Sequence, residues 1–213
     1  MYARFHDRTD AGRQLGIALE SYRKEDPLVL AIPKGGIPVG LEVARCLDAK
    51  FSVLVARKLP FPQNPESGFG AVAEDGTLYL HEIAAHPFSK REIEDIARCQ
   101  RDEIHRRIDL LRQGKPLPSI EGRTVILVDD GIAMGSTMRA SVSLCHNRNA
   151  AHIVVAAPVA SPRTLYDLER VANSVVILET PGGFRAVAEA YRHWHDVTDA
   201  EALAMMEEHR VMS

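Results

Sequence analysis

The chain has 213 residues, of which 46% are hydrophobic and 26% charged, and its formal net charge at pH 7 is -3. This composition excludes collagen, coiled-coil rods and wholesale disorder. Because Lys and Arg are not in excess, it also argues against a general nucleic-acid-binding or anionic-membrane surface, so any bound anion must be held by local geometry. The length predicts one domain with an elaboration, able to bury a core without disulfides.

Short β-branched runs alternate with helical patterns, which predicts an α/β fold with a doubly wound, mostly parallel sheet. The predicted strands are residues 28–32, 51–56, 124–128, 153–157 and 175–178. The predicted helices are residues 38–47, 89–113, 137–145, 162–171 and 200–208, with Asp199 as the N-cap of the last. A sheet of this kind binds ligands at the carboxyl ends of its strands, so candidate chemistry is sought there.

The segment after the second predicted strand has two parts. Residues 60–70 are rich in Pro and Gly and are predicted to form a loop. Residues 71–73 and 77–80 flank Asp75-Gly76, which predicts a β-hairpin.

The longest predicted helix, residues 89–113, begins with a capping box formed by Ser89 and Glu92. Its apolar stripe is expected to pack on the sheet, with a partner-binding helix as the alternative. The stripe consists of Ile93, Ala97, Ile104, Ile108 and Leu111. We expect a single domain over residues 1–213, with a helical insertion at about 86–118 and a C-terminal hood at about 180–213.

The cysteines and the apolar segments indicate a cellular compartment. Cys46, Cys99 and Cys145 lie far apart and form no CxxC pair, which is typical of structural thiols in a reducing compartment. The N-terminal residues carry charges where a signal peptide requires an apolar segment. The most apolar long stretch, residues 152–160, is far shorter than the roughly 20 residues of a membrane helix. We therefore expect a cytoplasmic protein with no membrane partner.

The strongest chemical feature is the segment VILVDDGIAMGST at residues 125–137. A buried strand delivers Asp129 and Asp130, and a loop with two glycines and hydroxyls leads into a helix. Backbone N–H groups and the positive end of a helix can hold a phosphate without net positive charge. The two carboxylates can accept hydrogen bonds from sugar hydroxyls. The spacing therefore predicts a phosphorylated-sugar site, and a polar turn with a capped helix is the alternative.

A second glycine-containing turn, Lys34-Gly35-Gly36, follows Pro33 at the end of the first predicted strand. Two glycines let the backbone approach a ligand closely, and the Lys34 ammonium suits a phosphate. Alone, the pattern also describes an ordinary turn. Two such loops on one sheet edge predict a ligand with phosphates at both ends.

The segment VILVDDGIAMGST resembles the phosphoribosyl pyrophosphate (PRPP) signature of type I phosphoribosyltransferases, and Lys34-Gly35-Gly36 resembles their pyrophosphate loop. The resemblance, which is closest to a group of bacterial phosphoribosyltransferase-like proteins, covers almost the whole chain. Its further segments are FHDRTDAG, IPKGGIPVG, ARKLPFPQNPE, GAV, APVASP and FRAVAEAY. It implies the type I phosphoribosyltransferase fold and transfer of a phosphoribosyl group from PRPP to a nitrogenous, purine-like base, with release of pyrophosphate.

The resemblance also implies roles for individual residues. Asp129 and Asp130 would hold the ribose hydroxyls and are the candidate catalytic residues. The loop around the 5′-phosphate would consist of Gly131, Ile132, Ala133, Met134, Gly135, Ser136 and Thr137. Pyrophosphate contacts, with a cis peptide just before Lys34, are expected from Lys34, Gly35, Gly36, Arg57 and Lys58. Residues 60–70 match the flap that excludes water during turnover.

The implied cofactor is Mg²⁺, bridging pyrophosphate and ribose hydroxyls and reached by Asp129 and Asp130 through water rather than by direct side-chain ligation. Ala133 and Met134 stand where the family usually has Ser or Thr. Binding of the 5′-phosphate would therefore depend on backbone amides and on the hydroxyls that follow.

The acceptor would bind under a hood built from the chain ends, with Phe184 as a candidate stacking residue. Phe184 and Tyr191 are seven residues apart, which places them on one face if the segment is helical, and plain packing is the alternative. Arg106-Arg107 is too short for a nucleic-acid patch and is interpreted as a solvated helix face. We expect a homodimer with no nucleic-acid partner.

Two other functions remain open at this point. The loss of hydroxyls from the phosphate loop and the long charged helix motivate a non-catalytic PRPP or nucleotide sensor. A phosphohydrolase acting on a ribose phosphate is a weaker alternative.

Overall fold

The computed structural model describes residues 3–212, without the side chains of Glu66 and Met212. The helices are α1 (Arg8–Ala18), α2 (Gly36–Leu47), α3 (Glu82–Ala85), α4 (Lys90–Arg112), α5 (Ser136–Asn147), α6 (Pro162–Glu169) and α7 (Asp199–Met212). The strands are β1 (Leu28–Ala31), β2 (Lys50–Val53), β3 (Ala56–Phe61), β4 (Asn64–Ala73), β5 (Leu78–Leu80), β6 (Thr124–Val128), β7 (His152–Val159) and β8 (Ser174–Glu179). Two short 3-10 helices occupy Glu20–Glu25 and Val187–Ala190.

The centre of the fold is a five-stranded sheet in the order β2-β1-β6-β7-β8. Every neighbouring pair in this sheet is parallel. All five carboxyl ends therefore lie at one edge, where β1 and β6 are adjacent. The predicted mostly parallel α/β fold is confirmed.

Helices cover both faces of this sheet, and the alternation of side chains along β6 shows why. Val125 and Leu127 point into a cluster with residues of α5 and α6. Ile126 and Val128 point the other way, against α1 and α2. Successive strand residues face opposite sides, so a strand buried on both faces is continuously apolar, as β6 is.

A second, antiparallel sheet has the order β3-β4-β5. Its β4–β5 turn at Asp75-Gly76 confirms the predicted hairpin, with Ala73 N donating to Thr77 O at 2.8 Å. The predicted loop at residues 60–70 is wrong, because β3 and β4 continue through it as a hairpin. Pro60 lies at a register shift, where the ladder is already irregular and tolerates a missing N–H donor.

Helix α4 follows the prediction at both ends, with the Ser89–Glu92 capping box present and Gln113 as the C-cap. Most of its stripe packs on the antiparallel sheet, where Ala97 and Ile104 share a cluster with residues of β3 and β4. Leu111 at the end of the stripe instead packs in the cluster that contains residues of β1, β2 and α2. A buried ion pair, Arg112 to Glu74 at 2.8 Å, fixes its C-terminal end to the residue that follows β4.

The hood departs from the prediction in two respects. Residues 184–194 form only the single 3-10 turn Val187–Ala190, so Phe184 and Tyr191 do not share a helical face. The residue that caps α7 is Thr198 rather than Asp199, since the Thr198 hydroxyl accepts from Glu201 N at 3.2 Å and Thr198 N donates to the Glu201 carboxylate at 2.8 Å. Asp199 is left with its carboxylate available for other partners.

The N-terminal segment is hydrogen-bonded to the hood. Phe5 N donates to Ala190 O, Arg192 N donates to Phe5 O and His193 N donates to His6 O, each at 2.9 Å. None of the helices between residues 3 and 212 combines the length and apolar character that a membrane span requires.

Candidate functional site

The acid loop, residues 129–135, connects the carboxyl end of β6 to α5. Asp130 N donates to the Asp129 carboxylate at 2.9 Å, and Ile132 N donates to Val159 O at 2.8 Å. Gly135 has φ +73°, a left-handed conformation that favours glycine, and serves as the N-cap of α5. The loop is therefore fixed by a hydrogen bond within itself and by another to β7.

Helix α5 begins directly beside this loop, at Ser136. The first N–H groups of a helix have no partner within the helix, and its N-terminus carries partial positive charge. Ala133 and Met134 are exposed. The arrangement suits an anion held by backbone amides together with the hydroxyls of Ser136 and Thr137.

A cavity of about 280 Å³ opens on the acid loop and reaches across to the β3–β4 hairpin. It brings together most of the residues predicted for the ribose phosphate with two residues of the β3–β4 hairpin. The lining residues are Lys58, Gly68, Asp129, Gly131, Ile132, Ala133, Met134, Gly135, Ser136 and Thr137.

Asp130 does not line this cavity, because its side chain is engaged elsewhere. Its carboxylate accepts from Arg8 Nε at 2.8 Å in a pair whose side chains are 7% and 12% exposed. The Arg8 guanidinium also donates to His195 O at 2.8 Å and lies 3.8 Å from the centre of the Trp194 ring. Arg8 was not predicted, although it lies in the FHDRTDAG segment that carries part of the family resemblance.

Burial and neighbouring charges determine the ionisation of the acid pair. Burial, followed by the negative charge of Asp130, raises the pKa of Asp129 well above its ordinary value. Burial also raises the pKa of Asp130, against the lowering effect of Arg8. The pair is thus an environment that favours a nearby cation.

The Lys34 loop lies directly against the acid loop. A Cβ on Gly35 would stand 1.9 Å from an Asp130 carboxylate oxygen, and a Cβ on Gly36 would stand 2.8 Å from Val128 O. Any larger residue would push the two loops apart, so both glycines serve close approach. The Pro33–Lys34 peptide bond is cis, as expected.

The five residues predicted to contact pyrophosphate are divided between two places. Lys58 lines the cavity, whereas Arg57, one residue earlier on β3, points towards α4 and donates to Gln100 Oε1 at 3.2 Å. Lys34 Nζ also lies on the α4 side, 3.0 Å from the Asp199 carboxylate. Neighbouring strand residues face opposite sides, which explains why Arg57 and Lys58 separate.

Two arginines of α4 also lie beside the Lys34 loop. Arg106 Nη1 is 2.8 Å from Asp199, and Arg107 Nη1 donates to Pro33 O at 3.5 Å. The Arg107 side chain is only 12% exposed, so its interpretation as part of a solvated face is wrong. Their position could not be predicted because it depends on how α4 packs on β3.

Phe184 lies in the hood beside a smaller cavity of about 130 Å³, together with Val159 and Glu179 at the ends of β7 and β8. The hood contacts the acid loop close by: a Cβ on Gly131 would stand 2.4 Å from a Val187 methyl group. Phe184 is therefore at the same sheet edge as Asp129 but in a separate cavity.

Comparisons with known proteins match most of the chain to one family. The family model for the phosphoribosyl transferase domain matches residues 9–188. Proteins named "Putative phosphoribosyl transferase" from Mycobacterium tuberculosis strains CDC 1551 and H37Rv are 36% identical over 205 residues, which is 95% of this chain and 46% of each relative. The chain thus spans less than half the length of these curated relatives.

Two solved structures resemble the fold. The protein TT1426 from Thermus thermophilus is 40% identical, with a TM-score of 0.82 over 96% of this chain and 98% of that one. AQ2163 from Aquifex aeolicus, 13% identical with a TM-score of 0.51, covers 80% of this chain and 73% of its own and is similar in fold alone. With the family match extending from α1 to the hood, the chain belongs to the phosphoribosyl transferase domain family.

Proposed function

We propose that this protein transfers a phosphoribosyl group from PRPP to a nitrogenous, purine-like base and releases pyrophosphate, with Mg²⁺ as cofactor. The observation that carries the proposal is the cavity of about 280 Å³ in which an acid side chain, a glycine-containing loop, a helix N-terminus and Lys58 face one another. Membership of the phosphoribosyl transferase domain family supports the same chemistry.

In this proposal, each part of the cavity binds one part of the substrate. The 5′-phosphate would lie at the N-terminus of α5, against the amides and hydroxyls of residues 133–137. The ribose hydroxyls would donate to Asp129. The diphosphate would extend out of the cavity towards the Lys34 loop, which packs against the acid loop.

Asp130 would act as a positioning residue. Arg8 holds its carboxylate, and the Tyr191 hydroxyl donates to its backbone carbonyl. These contacts keep the acid loop in place against the hood. Asp129 is then the acid that touches substrate, and Asp130 orients it through the hydrogen bond between Asp130 N and Asp129 Oδ1, 2.9 Å long.

The residues present fit Mg²⁺. Carboxylate oxygens are ligands that this ion prefers, and it commonly keeps several waters while it binds substrate phosphates. Burial, and then repulsion from Asp130, raises the pKa of Asp129, and a cation beside Asp129 would favour its ionised form. When bound, Mg²⁺ would neutralise charge growing on the leaving pyrophosphate. Asp129 would hold it through water, together with substrate oxygens.

The rest of the machinery orients and shields the reacting groups. The β3–β4 hairpin, which contributes Lys58 and Gly68 to the cavity, would exclude water over the ribose. The acceptor would approach from the hood side, where Phe184 offers an aromatic face. Positioning of this kind can supply a large part of the barrier reduction.

Isothermal titration with PRPP and Mg²⁺ tests the proposal. Asp129→Asn should weaken Mg²⁺-dependent PRPP binding roughly 10- to 100-fold, because hydrogen bonds to a charged group are lost. Asp102→Asn, at an exposed position on α4, is the matched control and should leave binding unchanged. Undiminished binding by Asp129→Asn, or no Mg²⁺-dependent binding by the unmodified protein, would refute the proposal.

A non-catalytic PRPP or nucleotide sensor is the second candidate. It is favoured by the partners that Lys34 and Asp130 already have within the chain, Asp199 and Arg8. A panel of bases scored by pyrophosphate release distinguishes the two functions: binding without turnover across the panel supports the sensor. Phosphate release without any base would instead indicate a phosphohydrolase. The homodimer expected from the family resemblance is a separate prediction, tested by analytical ultracentrifugation.

A further inference from the structure

Four basic side chains lie close together where the Lys34 loop faces α4. We call Lys34, Arg57, Arg106 and Arg107 the cation cluster. They come from the β1–α2 connection, from β3 and from α4. Because these segments are far apart along the chain, the sequence alone does not predict that the four side chains lie together. The carboxylate of Asp199 bridges two of them, with Oδ1 at 3.0 Å from Lys34 Nζ and Oδ2 at 2.8 Å from Arg106 Nη1.

The cation cluster is crowded with positive charge. Burial, and then the charge of Arg107, lowers the pKa of the half-buried Arg57. Arg107 is held against Pro33 O and pairs with Glu103 at 2.9 Å. Four basic groups thus share two carboxylates, Glu103 and Asp199. An additional anion at this position would relieve the repulsion among the basic groups.

We propose that Asp199 occupies the position of a substrate anion, and that the diphosphate of PRPP competes with Asp199 for Lys34 and Arg106. Asp199 then determines how tightly the diphosphate is held, and Arg106 and Arg107 extend the pyrophosphate site beyond the Lys34 loop. This inference rests on the proposed function, because it places the diphosphate next to Lys34.

The exchange requires little movement of the backbone. Helix α7 is anchored by Val197, Ala202 and Met206, which pack against α2 and α4 residues in one apolar cluster. The α7 cap depends on Thr198 and Glu201 rather than on Asp199. A rotation of the Asp199 side chain is therefore sufficient to release both cations while α7 stays in place.

The test is the affinity for pyrophosphate, measured by isothermal titration with Mg²⁺ at low salt. Asp199→Asn should bind pyrophosphate roughly 3- to 10-fold more tightly than the unmodified protein, since two partly exposed ion pairs no longer compete. Asp199→Ser removes the same charge with a smaller side chain and should behave alike. The matched control is Asp196→Asn, an equal charge change at an exposed residue three positions earlier, which should change affinity less than about two-fold.

A second measurement separates this inference from the proposed function. Ribose 5-phosphate lacks the diphosphate, so its affinity should not respond to Asp199→Asn. Arg107→Gln should weaken the binding of pyrophosphate and leave the binding of ribose 5-phosphate unchanged. If Asp199→Asn and Asp199→Ser bind pyrophosphate no more tightly than Asp196→Asn, the inference is wrong. If the protein binds PRPP with Mg²⁺ in that case, the proposed function stands. If the protein binds neither PRPP nor ribose 5-phosphate, the proposed function is wrong as well.

Discussion

The acid loop and the cation cluster lie at the same sheet edge but are built differently. The acid loop comes from consecutive residues, is fixed by backbone hydrogen bonds and is held to α1 by the buried ion pair between its own Asp130 and Arg8. The cation cluster comes from three distant segments and is held by partly exposed ion pairs. A rigid loop can recognise a fixed sugar phosphate, whereas exchangeable ion pairs suit a group that must leave.

The largest effect should come from breaking the buried pair behind the acid loop. Arg8→Met should lower the free energy of unfolding by about 3–5 kcal/mol, because it leaves the Asp130 carboxylate buried without its partner. Urea denaturation measures the loss. The double variant Arg8→Met/Asp130→Asn should regain most of it, and an equal loss in the double variant would show that Arg8 acts through packing rather than charge.

The contact between the two loops should come next. Gly35→Ala places a Cβ 1.9 Å from a carboxylate oxygen that Arg8 holds in place, so we expect a loss of about 1–3 kcal/mol. Gly182→Ala is the matched control: nothing lies within 4 Å of its Cβ, and its unfolding free energy should change by less than about 0.5 kcal/mol. Equal stabilities for the two variants would mean that the loops are not in contact.

A gain in stability is expected at Asp129. A carboxyl group whose folded-state pKa is raised destabilises the folded protein when it is ionised; the effect is complete above the folded-state pKa and vanishes as the pH falls below the unfolded-state value. Asp129→Asn should therefore raise the melting temperature at pH 7, because it removes a buried charge that Asp130 also repels, by about 2–4 °C for each kcal/mol gained. The difference from the unmodified protein should shrink as the pH is lowered, and a difference that grows would contradict the assigned shift.

The smallest effect should come from the cation cluster. Arg106→Gln removes ion pairs with Glu103 and Asp199, but its side chain is 50% exposed, so the unfolding free energy should fall by no more than about 1 kcal/mol. The loss should diminish at high salt. A loss of unfolding free energy as large as that of Arg8→Met, and insensitive to salt, would show that the cation cluster is held as firmly as the acid loop.

The same distinction explains what could be predicted from the sequence. The parallel strands, the capping box of Ser89 and the acid loop are local patterns, and each was found. The β3–β4 hairpin was not predicted because Pro60 and the glycines of the segment are typical of a loop. The strands are stabilised by packing, including the stacked Phe69 and Phe88 rings, whose centres are 4.4 Å apart.

Arg8 and Asp199 could not be assigned from the sequence for a different reason. Their partners, Asp130 and Lys34, lie 122 and 165 positions away along the chain, so only the packed fold brings them together. The sequence nevertheless contained a usable signal for Arg8, because it lies in the FHDRTDAG segment that carries part of the family resemblance. The sequence pattern predicts Asp199 as the N-cap of α7, but Thr198 performs that role.

The hydrogen bonds between the N-terminal segment and the hood have a consequence for motion. Phe5 is bonded through both its N–H and its C=O, and His6 through its C=O, so residues 190–193 cannot lift alone without breaking three backbone bonds. Amide hydrogen exchange should therefore report Phe5, Arg192 and His193 as one opening unit. The hood can therefore open at residues 190–193 only if the N-terminal segment moves with it or if all three of these bonds break.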